Sequence, residues 1–422
     1  MIWFKKNKLK ENNNSHFSNN DDNTINSLKS KFPIFEKQPN LQYFDSACVT
    51  LKPKQVISKL QEYYEEYPAC SGRSAHKLAQ RVNEEIDTSR EKIRKYFNIN
   101  SKMGEIVFTK NATEAINLIS YALEEYLQGK CVVITDKEHN SNYLPWLRLQ
   151  ERSNVKLIVV KCEKHALIDV EELESVLKNN DVGLVSMFHA SNVDGSIIDM
   201  KKIVELSHAY NSLVLSDACQ ITGHKKVNIK SLGVDFLATS VHKMYGPSGV
   251  GLLYINSSHL DKMNPFIIGG DTVNDVHETT YEFLDLPNRF EAGLQNYAGM
   301  IATGAAIDFL NTNLPIIEEQ TQKCIDTFFD ELEELEEKDK IEILSSKENN
   351  CGVFTFILKG SMSAKELAVI LSEQDICIRA GNFCVHNWFN TYKKDFAIRF
   401  SISAVNTPED VKKVCSIVKN FL

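Results

Sequence analysis

Between residues 131 and 255 the chain carries six apolar runs of strand length: CVVIT (131–135), VKLIVV (155–160), VGLVSMF (182–188), SLVLSD (212–217), DFLATS (235–240) and GVGLLYI (249–255). None shows the sustained alternation of a half-exposed strand, so each needs cover on both faces. Amphipathic helical stretches, 170–179 and 200–210 among them, separate the runs. Continuous apolar strands spaced by helices are the pattern of a mostly parallel sheet buried between two helical layers. The fold class expected is α/β.

The texture changes after residue 300. A helical region over about 296–337, with a break expected near Pro315, leads into CGVFTFIL (351–358) and a helix at 363–373. ICIRAG, FAIRFSIS and a last helix from Pro408 follow. Strands with fewer, flanking helices suggest a smaller α+β unit. The expected partition is a large α/β domain over 51–294 and a small C-terminal α+β domain over 295–422, which 31–50 joins. Residues 1–30, rich in Asn, Lys and Ser, have too few aliphatic side chains to offset the entropy of ordering. A disordered tail is expected there, and its first ten residues lack the arginines of a targeting segment.

A net charge of −8 speaks against nucleic acid or an acidic membrane as partner. The apolar runs are strand-sized, so no segment is expected to span a bilayer. The ten cysteines are scattered, with no CxxC pair and no Cys/His zinc spacing. Reduced thiols of a cytoplasmic protein, and no metal site, are expected.

In an open parallel sheet, ligands bind beyond the carboxyl ends of the strands. His139, Asn192, Asp217, Gln220, Ser240, His242 and Lys243 all follow or end such strands. One lysine beside cationic groups can lose its proton and form a Schiff base. One buried carboxylate can keep a pyridinium nitrogen protonated, which makes pyridoxal 5'-phosphate an electron sink. A helix N-terminus supplies phosphate donors; Ala112 and Thr113 open such a helix, although Thr113 alone reads more simply as a helix cap.

These residues carry a family resemblance. SDACQITGHKKVNIKSLGVDFLATSVHKMYGPSGVGLLY (216–254) resembles the lysine-bearing region of the class V (fold-type I) pyridoxal phosphate-dependent aminotransferase family. Within it, the nearest likeness is to the SufS-like cysteine desulfurases. YFDSACVTLKP (43–53), TKNATEAIN (109–117), EHNSNYLPW (138–146), HASNVDGS (189–196), NRFEAGLQN (288–296), RAGNFCVH (379–386) and RFSISAVNT (399–407) support it in order.

The resemblance implies that Lys243 carries the cofactor, Asp217 pairs with the ring nitrogen, Gln220 reaches the ring hydroxyl and His139 stacks on the ring. It places Ala112, Thr113, Ser240 and His242 at the phosphate and Asn192 near the ring. Arg399 would take the substrate carboxylate, a task suited to a planar guanidinium, with Arg379 and Arg73 nearby. It also implies a homodimer that converts L-cysteine to L-alanine. The sulfur would rest on Cys384 before passing to an acceptor protein of iron–sulfur assembly or another thio-cofactor route.

Cys384 sits in polar and cationic company, near Arg379 and His386 and after a flexible Gly381, as a reactive thiol should. Cys219 reads instead as a packed small residue. The chain departs from the family pattern at Leu294, where a threonine usually crosses to the partner's phosphate. It departs also at Cys48, Val49 and Ala112, and at Asn382 and Phe383, where a histidine pair is familiar. Two alternatives remain at this point. One is a selenocysteine or cystine lyase, or a class V aminotransferase, that does not use Cys384. The other is a non-catalytic scaffold of the same fold.

Overall fold

The apolar runs pair with one another. The computed structural model describes residues 28–72, 74–162 and 168–422. After a short strand β1 (Gln42–Tyr43) come β2 (Gly104–Thr109), β3 (Cys131–Thr135), β4 (Lys156–Val160), β5 (Val182–Phe188), β6 (Leu213–Asp217), β7 (Phe236–Ser240) and β8 (Gly251–Asn256). These last seven form one sheet in the order β2-β8-β7-β6-β5-β3-β4. β3 to β7 pair in parallel, while β8 runs antiparallel to both its neighbours.

Side chains alternate between the two covered faces. Val133, Val185, Val214 and Leu237 share one core with residues of the helices Lys77–Phe97 and Tyr297–Glu337. Val132, Leu184, Leu215 and Ala238 share the other with the helices Ala112–Ala122 and Asn140–Arg152. In β3, β5, β6 and β7 both faces are apolar because both are buried, which is why these runs show no alternation, whereas β4 at the sheet edge is buried only at Val160.

β2 is the strand the apolar runs do not reveal. All six of its residues are buried, but Glu105 interrupts the run. Arg94 on the helix Lys77–Phe97 donates Nε to Glu105 at 3.0 Å, which makes the carboxylate tolerable there.

The helix Tyr297–Glu337 also differs from expectation, since it runs unbroken through Pro315. Pro315 and Asn311 are both exposed, so water can serve the carbonyl that loses its donor. Leu314 and Ile317 hold that turn in the core. An 18-residue stretch of this helix, with mean hydropathy 1.2, is long and apolar enough to cross a membrane. This corrects the expectation of strand-sized runs only. Its apolar character is accounted for by packing, because 72% of the stretch is buried in the protein.

Beyond the hairpin β9 (Val273–Val276) and β10 (Tyr281–Phe283) lies a second sheet. β11 (Ile341–Ile343), β12 (Val353–Leu358), β14 (Arg379–Gly381) and β15 (Ala397–Ser401) form it, antiparallel, in the order β11-β12-β15-β14. β13 (Ile376–Cys377) pairs in parallel with β1, and Asp45 bridges to Ser401. An aromatic core backs this sheet, with Phe328 stacked on Phe354 at 4.7 Å.

The tail expected over 1–30 lies outside the described residues except for its last three. There Leu28 is 2% exposed within the main core, so packing begins earlier than expected.

Candidate functional site

Strand register brings the polar residues to one edge. Phe188 on β5 stands beside Asp217 on β6, which stands beside Ala238 on β7. Ser240 ends β7 opposite Gly251, and Gly251 faces Thr109 at the end of β2. A side chain at Gly251 would fall 2.5 Å from the Asn111 backbone carbon. Glycine thus lets the start of the helix Ala112–Ala122 approach Ser240, whose Oγ accepts the Ala112 amide at 2.9 Å. The cap of that helix is Asn111, which accepts from Glu114 N at 2.9 Å. Thr113 is therefore free of the capping role, and its hydroxyl meets that of Ser141 at 2.7 Å.

A cavity of about 260 Å³ opens at this edge, and every residue predicted from sequence for the site lines it except Arg73, which lies outside the described residues. Asp217 is buried and takes the Cys219 amide on Oδ1 at 3.1 Å. Gln220 donates to the Ala47 carbonyl at 3.0 Å. Lys243 is half-buried. His139 Nδ1 accepts the Ser141 amide at 3.1 Å, so the ring proton resides on Nε2. Burial, then Lys243, Arg399 and His386, hold His139 down at about 3, so the ring is neutral near pH 7. Burial and the neighbouring Lys243 and Lys52 hold His242 at about 4.

Lys52 was not anticipated from sequence. Its amine donates to the carbonyls of Thr50 (2.6 Å) and His242 (3.0 Å), and burial lowers it to about 7.

The two arginines share a carboxylate that sequence reading also missed. Asp45 pairs with Arg379 through Nε (3.3 Å) and Nη2 (2.7 Å) and reaches Arg399 Nη2 at 3.4 Å. Its hydrogen bonds hold the Arg379 charge firmly in place. Arg399 is 3% exposed and donates Nη1 to the Asn192 carbonyl at 3.0 Å, while its Nε has no hydrogen-bond partner. Asp45 lies within the quoted YFDSACVTLKP motif, but nothing in the motif says which cations it meets. The pairing arises only when β1 docks beside β13 and β15.

Cys384 is exposed at the cavity wall between two buried anchors, Phe383 and Val385. Both anchors pack with Val193, Trp388 and Phe389. Phe383 and Cys384 adopt left-handed backbone angles, φ 52° and 60°. Asn192 Nδ2 holds the Phe383 carbonyl (2.8 Å) and Asn140 N holds that of Cys384 (2.7 Å). The loop is thus pinned where Gly381 had suggested mobility. Arg399 lies over the Phe383 ring at 4.7 Å, so the phenylalanine supports the arginine.

The aminotransferase class-V family model matches residues 42–414. A probable cysteine desulfurase of Methanothermobacter thermautotrophicus is 35% identical over 376 residues, covering 88% of this chain and 92% of that one. One of Halalkalibacterium halodurans is 33% identical over 390 residues, covering 91% and 94%. Among solved structures, the apo cysteine desulfurase of Thermococcus onnurineus superposes with a TM-score of 0.88 at 29% identity, covering 94% of this chain and 97% of that one. The Escherichia coli cysteine desulfurase CsdA superposes with a TM-score of 0.84 at 26% identity, covering 94% and 98%.

Proposed function

The chain belongs to the aminotransferase class-V family, and from that premise we propose that it is a cysteine desulfurase converting L-cysteine to L-alanine with the sulfur carried on Cys384. The observation that carries this reading is the exposed Cys384 on the wall of the cavity that also holds Lys243, Asp217, His139 and Arg399.

The donor set suits pyridoxal 5'-phosphate. Lys243 would hold it covalently, Asp217 would meet the ring nitrogen, Gln220 the ring hydroxyl and His139 a ring face. The side chains of Thr113, Ser240 and His242 would receive the phosphate at the N-terminus of the helix Ala112–Ala122, where amides point outward, while the Ala112 amide itself positions Ser240. When bound, the cofactor supplies an electron sink that labilises bonds around the substrate's α-carbon.

The chain's own groups do the rest. Arg399, with an unpartnered Nε, and the Asn192 side of the cavity orient the substrate carboxylate. The Lys243 amine moves the α-proton. The Cys384 thiolate attacks the substrate sulfur, whose bond to Cβ breaks, and a proton arriving at Cβ completes alanine. The extra sulfur remains as a persulfide on Cys384, within reach of an acceptor protein of iron–sulfur assembly because the residue is exposed. All ten cysteines are free thiols, which suits the reducing cytoplasm.

A homodimer is part of the same reading. Phe266, Ile267 and Leu294, which are 43%, 47% and 75% exposed, line one cleft, and the adjoining Ile268 is 54% exposed. Such a patch is read as the face that a second copy covers.

The test compares alanine and sulfide release from L-cysteine with reductant in wild type and Cys384→Ala. The reading expects alanine release to collapse in the variant. Normal turnover there would mean a lyase that does not need this thiol. Loss of the cofactor's visible absorbance in Lys243→Ala would exclude a cofactor-free scaffold.

A further inference from the structure

Two helices begin at the same edge of the cavity, and their first turns touch through hydroxyls. Thr113 lies in the first turn of the helix Ala112–Ala122 and Ser141 in that of the helix Asn140–Arg152. Both residues line the cavity, and their side-chain oxygens lie 2.7 Å apart.

We propose that Ser141 is a further phosphate-binding residue, whose hydroxyl acts with that of Thr113 as one donor pair for the cofactor's phosphate. The inference rests on the pyridoxal 5'-phosphate reading of the cavity and extends it to a residue that reading does not use.

A count of hydrogens supplies the first reason. Two hydroxyls in contact carry two hydrogens, and only one can lie between the oxygens. The other points elsewhere, and among the described residues neither oxygen has a second protein partner. The oxygen that accepts the shared hydrogen becomes the stronger donor, so the pair offers an incoming acceptor more than a lone hydroxyl does.

The backbone supplies the second reason, because the amides around the pair are already taken. In one helix Ala112 N donates to Ser240 Oγ (2.9 Å), Glu114 N to Asn111 Oδ1 (2.9 Å) and Ala115 N to the Asn111 carbonyl (3.1 Å). In the other, Asn140 N donates to the Cys384 carbonyl (2.7 Å), Ser141 N to His139 Nδ1 (3.1 Å) and Asn142 N to the His139 carbonyl (2.7 Å). An anion at this edge gains from two positive helix ends, but side chains must supply most of its hydrogen bonds.

The surrounding charge suits an anion. Among the described residues, Asp217 is the one carboxylate on the cavity wall, against the cations Lys243, Arg379 and Arg399. Glu114 shares the first turn with Thr113, but its carboxylate turns back to the Lys110 amide and lies 3.7 Å from the Lys110 ammonium.

Ser141→Ala isolates the hydroxyl. The cap of the second helix uses the Ser141 amide, which the substitution keeps. The experiment strips cofactor from the full-length holoenzyme and titrates it with pyridoxal 5'-phosphate or with pyridoxal, the same aldehyde without phosphate. Visible absorbance reports binding of each.

Ser141→Ala should raise the Kd for pyridoxal 5'-phosphate about tenfold, as losing one hydrogen bond to a charged group requires, and leave that for pyridoxal within about twofold of wild type. The matching pyridoxal affinity also shows that the variant is folded. Thr113→Ala should weaken the phosphate form as much, and adding Ser141→Ala to it should cost little more, because the two hydroxyls act as a unit. The proposal is overturned if Ser141→Ala binds the phosphate form as wild type does, if it weakens pyridoxal equally, or if its loss adds in full to that of Thr113→Ala. Uptake of neither aldehyde by wild type overturns the cofactor reading itself.

Discussion

Asp45 Oδ2 lies 2.7 Å from Nη2 of Arg379 while its Oδ1 lies 3.4 Å from Nη2 of Arg399, so one carboxylate serves two cations. Arg399 is buried, and Asp45 supplies its negative charge. Asp45→Asn would keep the shape and remove that charge. Breaking a buried pair from one side costs about 3–5 kcal/mol, and the partial exposure of Arg379 argues for about 3 here. Urea unfolding with an unchanged m-value should show it.

Arg399→Lys tests the carboxylate site. A lysine replaces a rigid fork with a single flexible point charge. The KM for L-cysteine should rise by at least about tenfold, with kcat falling less, as loss of uniform substrate binding requires. Arg379→Lys should move KM less, because the Arg379 fork is already taken by Asp45. Steady-state kinetics of alanine formation separate the two.

Lys137 and Asp194 form an ion pair with almost no exposure, and the lysine ammonium also sits 4.7 Å from the Trp388 ring. Burial alone would raise the Asp194 carboxyl, but Lys137 outweighs it and the group stays ionised. Lys137→Met should destabilise the fold by about 3–5 kcal/mol, and Lys137→Met with Asp194→Leu should recover much of that loss. Thermal unfolding of the two variants against wild type provides the comparison.

The sheet was legible in sequence because its strands, apart from the part-exposed edge strand β4, are buried on both faces and so appear as uninterrupted apolar runs. β2 was not, since Glu105 breaks its run and only the fold supplies Arg94. The cavity residues that follow strands, from His139 to Lys243, were legible because the end of a parallel strand is a position that sequence can mark. Asp45 and Lys52 were not. Their partners, Arg379, Arg399 and the His242 carbonyl, are 190 or more residues away in the chain. The break expected at Pro315 failed because a surface carbonyl can lose its donor to water at little cost.

Two buried histidines, His189 and His224, should make the protein lose stability toward acid. Burial lowers His189 and His224 to about 4, below the ordinary value of 6.5. Below pH 6.5 the unfolded chain takes up protons that these two histidines refuse in the folded chain, so their contribution to stability falls as pH falls and levels off below about 4. Each histidine contributes a slope of about 1.4 kcal/mol per pH unit within that window. Denaturant unfolding at pH 6.5, 5.5 and 4.5 should show the decline, and His224→Gln should remove its share of the slope.

Phe383 is the last test, because it links the substrate side of the cavity to the thiol. Its ring underlies Arg399 and meets Phe389 edge-on at 6.0 Å, and its carbonyl is held by Asn192. Its backbone and that of Cys384 are both left-handed, a conformation costing about 1–2 kcal/mol per residue for L-amino acids. Packing of the ring is therefore part of what keeps Cys384 facing the cavity. Phe383→Ala should cost about 3–5 kcal/mol as a buried aromatic truncation. It should also release the loop, so that single-turnover alanine formation slows while the cofactor's absorbance is retained. Phe383→His keeps a planar ring over Arg399 and should preserve sulfur transfer far better than alanine does. Equal single-turnover rates in the two variants would mean that the ring only fills space. Faster transfer with His than with Ala would show that a planar side chain beneath Arg399 is what aims the thiol.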